Sequence, residues 1–403
     1  MSFYLEIVLL VFFGLSTFYV LFFSVSGLFY RAKKCSETTT EASSTNFAIL
    51  IPAYKEDGVI VSVSKSMLEL EYPKSHYDVF VIADQLQPET ITALKELDIN
   101  VVEVEFEKST KTKSLNYCLS QMDTAKYEMV LISDADNVLA KDFLLKVHEQ
   151  FITGSNAIQG RRVAKNLNTD YAVLDGASEI INNHIFRKGP NAIGLSASLI
   201  GSGMAFKTQE VIDCLNEITA VGGFDKVLQL KILEKGNRIS YVQDALVFDE
   251  KVDNPDNFKN QRKRWLSSQY KYLIKYFGKG LIQLSKGNID YFNIAILHNL
   301  FLPRVITLGS LFIIALFSLL TFSFIGFNYI YWITLFIVYC FSLGIALPKK
   351  FYGRKLIKSI FSLPGAFFSM FLLLFKLKGA DKTFIHTQHK NTEVDNDLLS
   401  ENK

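Results

Sequence analysis

Two aspartates one residue apart, in Ser133-Asp134-Ala135-Asp136-Asn137, are the chain's first candidates for chemistry. They follow Tyr127–Ile132 (YEMVLI), a short apolar run with the length and β-branched content of a buried strand. In an open α/β sheet, ligands collect just outside the carboxyl ends of such strands. Strand residues two apart point the same way, so Asp134 and Asp136 are expected to aim both carboxylates at one ligand. Two hard oxygen donors at that spacing suit Mg²⁺ or Mn²⁺ bridging to substrate phosphates. Taken alone, the triplet is better read as a helix cap or a turn. Its surroundings give it weight.

Strands and helices alternate from Asn46 onward. Phe47–Ile51 reads as a strand running into Pro52-Ala53-Tyr54-Lys55-Glu56-Asp57, with a helix over Val59–Leu70. Val79–Ala83 is a second strand ending at Asp84, Pro88–Leu97 a helix and Asn100–Glu105 a third strand. Lys111–Gln121 is a helix that opens with Lys111 and Lys113 and leads to the strand before Asp134. Strands separated by helices of about ten residues predict a parallel sheet with right-handed crossovers. Glu56, Asp84, Asp134 and Asp136 then lie at the carboxyl ends of three of its strands. One strand-end acid is ordinary; several on one sheet edge point to a nucleotide–metal site.

Beyond that point, Phe143–Thr153 reads as a helix, Ala157–Val163 as an edge strand and Tyr171–Arg187 as one long helix. Gly201-Ser202-Gly203-Met204-Ala205-Phe206 is either a plain tight turn or a place where backbone closely approaches a sugar. Ala220–Leu233 puts Asp225 at a helix N-terminus, where capping is its simplest role. Ile239–Val242 and Ala245–Phe248 read as two strands. Asn257–Phe277 is a basic, aromatic helix on which Gln261, Arg264 and Trp265 share a face. Two readings fit it. A guanidinium clamps a diphosphate while an indole stacks on a sugar, or a basic amphipathic helix lies on anionic lipid.

The 403 residues suffice for one large domain or two ordinary ones. At 49% hydrophobic with a mean hydropathy of +0.19, the chain is too apolar for a purely soluble enzyme, and the excess lies at its two ends. A net charge of +3 makes no case for nucleic-acid binding. Four scattered cysteines give neither a zinc spacing nor a disulfide framework, and fit a reducing compartment.

Tyr4–Tyr30 is apolar apart from Glu6 and long enough to cross a hydrocarbon core. A cleaved signal peptide fails on three counts: no basic n-region, too long an apolar run and no clear cleavage site. Arg31, Lys33 and Lys34 place the following chain in the cytoplasm. Ser36–Thr45 reads as a polar linker. Ile306–Phe324 and Ile330–Leu347 are two further spans, followed by the basic stretch from Lys349 to Lys358. Ile360–Leu377, interrupted by Pro364, is expected to be interfacial or re-entrant, with a polar tail after Thr392. The expected layout is an anchor over 1–34, a cytoplasmic domain over 46–280, a membrane region over 290–378 and a cytoplasmic tail over 379–403 at the cell membrane. The two carboxyl-side spans contain no ionisable residue, which sets a transporter aside.

The ordered series IPAYKED, VIAD, TKTKSLN, SDADN, GSGMAF, GGFDKVLQL and QRKRW resembles the membrane-bound glycosyltransferase family 2, which includes cellulose, chitin, hyaluronan and poly-N-acetylglucosamine synthases. The resemblance covers about Phe47–Trp265. It implies an α/β GT-A catalytic domain, Rossmann-like in binding a nucleotide-sugar, joined to transmembrane helices. Tyr54, Glu56 and Asp84 would hold the uridine, Lys113 would lie near the nucleotide, and Asp134 and Asp136 would organise Mg²⁺ or Mn²⁺. Asp225 would be the general base on the acceptor hydroxyl. Gln261, Arg264 and Trp265 would line the site near diphosphate and acceptor sugar, with Ser202 and Gly203 near the acceptor terminus. KTFIHTQHK (382–390) is similar to the gating loop of the synthases. Two departures stand out: Phe224 and Val227 flank the base motif where acids are usual, and Asp84 lacks a second adjacent acid.

The implied reaction is a single inverting displacement from a UDP-sugar onto a growing polysaccharide or a lipid-linked acceptor in envelope or exopolysaccharide synthesis. Polysaccharide-export proteins are the implied partners. Two or three carboxyl-side spans are few for a self-made translocation pore, so single-step glycolipid formation is the alternative within the enzyme class. A non-catalytic nucleotide-binding membrane subunit is the alternative outside it.

Overall fold

The structure, a computed structural model, describes residues 2–32, 44–218, 222–251, 255–325, 328–375 and 394. Helix α1 (Ser2–Leu28) precedes β1 (Phe47–Tyr54), α2 (Ile60–Met67), β2 (Tyr77–Asp84), α3 (Pro88–Lys95), β3 (Asn100–Val104), α4 (Lys111–Gln121) and β4 (Met129–Ile132). These four strands run parallel in the order β3-β2-β1-β4, as the alternating pattern predicts. The apolar runs of β1, β2 and β4 are buried on both faces, Phe47–Ile51 without exposure, which is why they read as continuous rather than alternating, while β3 at the sheet's edge is partly exposed.

The second half departs from that pattern. After β5 (Val138–Leu139) and α5 (Phe143–Ile152) come β6 (Ala157–Ala164), α6 (Asp170–Asn183), a π-helical turn (His184–Lys188) and α7 (Gly189–Ala192). Then follow β7 (Met204–Lys207), α8 (Thr208–Leu215), α9 (Phe224–Glu234) and β8 (Ile239–Asp249). β7 pairs antiparallel to β4, and the sheet continues β7-β6-β8-β5, mixed rather than parallel throughout. β6 is therefore interior between β7 and β8, not an edge. The two short strands expected after residue 238 are one strand, β8, interrupted where Gly160 pairs with Val242 and Arg161 already pairs with Leu246. That irregularity bends the sheet around the site.

α10 (Pro255–Ser285) is longer than expected and is followed by α11 (Ile289–Phe292), a second π turn (Asn293–Leu297) and α12 (His298–Leu300). α13 (Arg304–Ile325), α14 (Tyr329–Ala346), α15 (Arg354–Ile360) and α16 (Leu363–Leu374) complete the described chain. α1, α13 and α14 are each long and apolar enough to cross a membrane. α15 and α16 are bent by 48° at their break and together make a fourth, broken candidate. Glu6, the one acid of α1, is buried and accepts hydrogen bonds from the Asn328 backbone at 2.8 Å and Trp332 Nε1 at 3.2 Å. A carboxylate among apolar helices is tolerated because donors meet it. α1 seats on the π turn and α7 through Gly189, where an added Cβ would lie 2.3 Å from the Phe23 carbonyl oxygen. KTFIHTQHK and the 379–403 tail lie outside the described residues, apart from residue 394.

Candidate active site

Both β1 and β2 are followed at once by a non-glycine residue with left-handed backbone: Lys55 and Gln85 each have a φ of 56°. Such strain persists where surrounding structure enforces it, and here the two strained residues stand side by side at the sheet's carboxyl edge. Tyr54 pairs in register with Asp84, and the Lys55 N–H donates to the Asp84 carbonyl at 3.1 Å. The Asp84 side chain is buried and accepts from Ser109 Oγ at 3.0 Å. Burial pushes its carboxyl above the usual range, against the pull of Ser109 and Lys55. Glu56 starts the turn into α2 through backbone bonds to Val59 and Ile60.

Asp134 and Asp136 are not strand residues. The Asn137 N–H donates to the Asp134 carbonyl at 3.2 Å and closes a turn between β4 and β5, so the turn rather than strand alternation presents the two carboxylates. Asp134 is partly exposed and forms an ion pair with Lys111 Nζ, which also donates to the Gly201 carbonyl at 2.7 Å. The same ammonium lies 5.0 Å from the centre of the Phe224 ring. Lys111 thus joins three motifs: the Asp134 turn, the Gly201 turn and the start of α9. Lys113 does not meet the Asp134 turn; it donates to the carbonyl of Lys108 at 2.9 Å, one residue before the Ser109 that bonds Asp84. Helical geometry decides this: Lys111 shares a stripe with buried Leu115 and Cys118, whereas position 113 is rotated roughly 200° away. That periodicity was the available signal for Lys111.

Ser202 and Gly203 meet this turn directly. The Asp134 N–H donates to Ser202 Oγ at 3.0 Å, and Gln159 Nε2 donates to the Ser202 and Gly203 carbonyls at 3.0 and 3.3 Å. Gly203 has a φ of 59°, and a Cβ there would lie 2.2 Å from Val247 Cγ2, so glycine is required for both conformation and space. Gly223 has a φ of 65° and stands at the cap of α9, which makes Asp225 the second residue inside the helix rather than its cap. Burial pushes the Asp225 carboxyl up; Lys226 and Lys111 pull it back, and the negative charge of Asp134 adds to the rise. Lys111, paired with Asp134 and lying over the Phe224 ring, links the start of α9, where Asp225 stands, to the aspartate turn.

Beneath the site lies a buried ion cluster that sequence reading missed. Glu179 of α6 is 2.7 Å from Arg162, 3.3 Å from Arg187 and 3.7 Å from Lys251. Asp249 pairs with Lys251 at 2.7 Å and accepts from Asn137 Nδ2 at 3.2 Å. Lys165 Nζ, fully buried, donates to the Asp136 carbonyl at 2.6 Å. The aspartate turn therefore rests on fixed charges from β6, β8 and α6.

On α10, Gln261 Oε1 is buried without a hydrogen-bond partner among the described residues, and Trp265 is 39% exposed. Burial lowers the Arg264 guanidinium from its ordinary value. Arg262, outside the expected trio, pairs with Asp175 of α6 and lies 4.6 Å over the Trp265 ring. It fixes α10 against α6 and orients the indole.

Among the described residues, no three His, Cys, Asp or Glu side chains gather as a metal cage. The donor chemistry of Asp134 and Asp136 nevertheless fits a divalent ion that arrives with a nucleotide, because Mg²⁺ is typically held by one or two carboxylates plus substrate phosphates. A Lys111→Met substitution is expected to weaken binding of a nucleoside diphosphate about tenfold or more, the scale of one lost charge-assisted contact. Lys113→Met is expected to leave it near the unaltered value, and calorimetric titration of both variants checks the contrast.

Residues 45–268, over half of the chain, match the family model described as glycosyltransferase like family 2. The chain belongs to that family: it carries a glycosyltransferase domain of the GT-A fold, with a curled mixed sheet. It is 26% identical over 270 residues to a beta-monoglucosyldiacylglycerol synthase of Nostoc sp., covering 66% of this chain and 57% of that protein. A protein of the same name from Synechocystis sp. is 22% identical over 239 residues, covering 57% of this chain and 49% of the relative. The chain thus spans about half the length of the curated relatives it matches. A solved mannosyltransferase from Pyrobaculum calidifontis, in complex with GDP-Man and Mn²⁺, aligns over 84% of this chain and 96% of its own at 16% identity, with a TM-score of 0.49. The relatives carry glycolipid-synthase names, not those of the polysaccharide synthases that the motif order resembles.

Proposed function

We propose that this protein is a membrane-anchored inverting glycosyltransferase that moves a sugar from a UDP-sugar onto a hydroxyl of a membrane lipid. The observation that carries the proposal is the meeting of Asp84, Asp134 and Asp136 at the sheet's carboxyl edge, where Lys111 links Asp134 to Phe224, the neighbour of Asp225, on a domain packed against apolar helices. Tyr54, Glu56 and Asp84 form the crevice for the uridine. Asp134 and Asp136 would hold the divalent ion, which supplies charge neutralisation on the diphosphate when bound. Lys111, next to Asp134, and Arg264 on α10 favour the charge that develops on the departing UDP. Asp225 takes the proton from the acceptor hydroxyl as its oxygen attacks the anomeric carbon from the face opposite the leaving group. The Ser202–Gly203 turn and Trp265 border the space for the acceptor. Support for a lipid acceptor comes from the relatives' names and from the helices that bring the site to a membrane. The site faces the cytoplasm, where UDP-sugars are made, and Arg31 at the end of α1 fits that orientation.

A second reading, extension of a glycan, is favoured by Trp265, which stands exposed beside Arg262 as a platform for a sugar ring. UDP release from a panel of UDP-sugars by the full chain in nanodiscs tests the proposal, with Mn²⁺ or Mg²⁺ and diacylglycerol present. Turnover of one donor, lost in Asp136→Asn, is the expected result. Single-sugar products support the lipid reading and long ones the second; silence with every donor would contradict both and favour a non-catalytic subunit.

A further inference from the structure

We infer that Lys226, His298 and Arg304 form a binding site for a phosphate carried by the acceptor lipid, so that hydroxyl-bearing phosphodiester headgroups are preferred to a neutral diacylglycerol. This rests on the lipid reading above and names the class of lipid. Arg304 Nη2 donates to the Ser178 carbonyl at 3.0 Å and to Asn182 Oδ1 at 2.7 Å, whereas Nη1 is buried with no hydrogen-bond partner among the described residues. The Phe186 ring joins two of the three groups: His298 stacks on it at 4.0 Å, and the Arg304 guanidinium lies 5.9 Å from its centre. Lys226 and His298 are partly exposed, and neither Lys226 Nζ nor the His298 ring nitrogens have a hydrogen-bond or ion-pair partner among the described residues. A buried guanidinium N–H without an acceptor is costly, and an arriving anion satisfies it.

The packing of α9 turns Lys226 towards this pair. Leu230 and Leu233, on the same helical stripe as Lys226, share one apolar cluster with Tyr291, Ile294 and Ile296. Asn288 Nδ2 donates to the Leu233 carbonyl at 2.9 Å, so the chain from α11 to α12 runs back along α9 and brings His298 towards Lys226. Burial and the positive charges of Lys226, Arg187 and Arg304 push the His298 imidazole down to about 3. Arg187 is already held by Glu179 at 3.3 Å, which leaves the other three groups for a ligand. Beneath them, Phe186 packs against the apolar cluster of Phe13 and Tyr19 of α1 and Leu311 of α13. A ligand that suits both levels carries a phosphate above and acyl chains below, which describes a phospholipid. Asp225 adjoins Lys226 in the chain, so a headgroup hydroxyl a few bonds from that phosphate stands beside the base. Its oxygen bonds the anomeric carbon as the bond to UDP breaks, and Asp225 takes the proton.

The experiment offers two lipids to the full chain in phosphatidylcholine nanodiscs, with the UDP-sugar that it turns over. Phosphatidylglycerol, whose headgroup carries hydroxyls beside its phosphate, is expected to receive sugar with a kcat/KM about tenfold above that of diacylglycerol, the scale of one charge-assisted contact. In Arg304→Gln that preference is expected to fall to near parity. His298→Phe keeps a ring stacked on Phe186 but removes its nitrogens, and is expected to reduce the preference about threefold. Dihexanoylphosphatidylglycerol is expected to raise the melting midpoint of the unaltered chain but not that of Arg304→Gln, a readout that needs no turnover. Equal rates on the two lipids, or a preference kept in both variants, overturn the phosphate site while the lipid acceptor stands. UDP release with sugar on neither lipid overturns the lipid acceptor and the site with it. An equal rise in midpoint with inorganic phosphate assigns the site to the free ion, and a tenfold loss of UDP affinity in Arg304→Gln assigns it to the donor; either overturns the acceptor assignment. If Arg304→Gln lowers the midpoint by itself, His298→Phe decides.

Discussion

Asp225→Asn is expected to lower sugar transfer by about 10²–10⁴-fold while UDP binding stays near its unaltered value, because a general base contributes on that scale and an amide keeps the shape but cannot accept the proton. Asp225→Glu should recover part of the loss. The pH profile carries a second readout. The base works deprotonated, so the rate climbs as pH rises through its pKa. Burial raises that pKa, so the acid limb should lie above the ordinary aspartate range. Lys226 pulls in the other direction, so Lys226→Met should move the limb to still higher pH. Steady-state rates measured across pH on the three variants check this. Full turnover by Asp225→Asn would remove Asp225 from the reaction.

Glu179→Gln is expected to cost about 3–5 kcal/mol of stability, the scale of breaking a buried ion pair from one side. Arg187 loses its carboxylate partner, and Arg162 and Lys251 are left sharing Asp249. The surrounding cations hold the Glu179 carboxyl well below its usual range despite burial. With the folded pKa depressed below the unfolded value of about 4.3, this stabilisation is fully present above that value and is lost as pH falls through the folded pKa. Thermal unfolding followed from pH 7 to pH 3 should show a fall in midpoint of roughly 6–10 °C for the variant at neutral pH. The gap between the two proteins should shrink towards acid. Equal midpoints at neutral pH would contradict the structural role assigned to the cluster. Since Asn137 bonds Asp249, the variant should also bind nucleotide less tightly.

The first half of the domain was legible because parallel strands buried on both faces are written as continuous apolar runs separated by helices. The second half was less so. β6 reads as an edge because its partners, β7 and β8, are supplied by chain 40 to 90 residues further on. The interruption in β8 looked like a strand break because Gln243 and Asp244 are polar, whereas the structure uses them to bend a single strand. The acidic residues of the site were visible as types, yet not the means of presenting them. A turn closed by Asn137 replaces the strand alternation that their spacing suggested. Lys111 and Lys113 look equivalent in TKTKSLN until the helix period separates them. Glu179, Asp249 and Lys251 carry no local pattern, and only the packing of α6 over β6 and β8 brings their charges together.

The most direct measurement of the proposed activity follows radiolabelled UDP-glucose with the full chain in nanodiscs containing diacylglycerol. Label should pass into the organic phase with a divalent ion present, in equal amount to the UDP released, and should stay in the aqueous phase with Asp225→Asn. UDP released without any lipid-soluble label, across UDP-sugars and with diacylglycerol supplied, would contradict a lipid acceptor. No release at all would contradict the transferase itself.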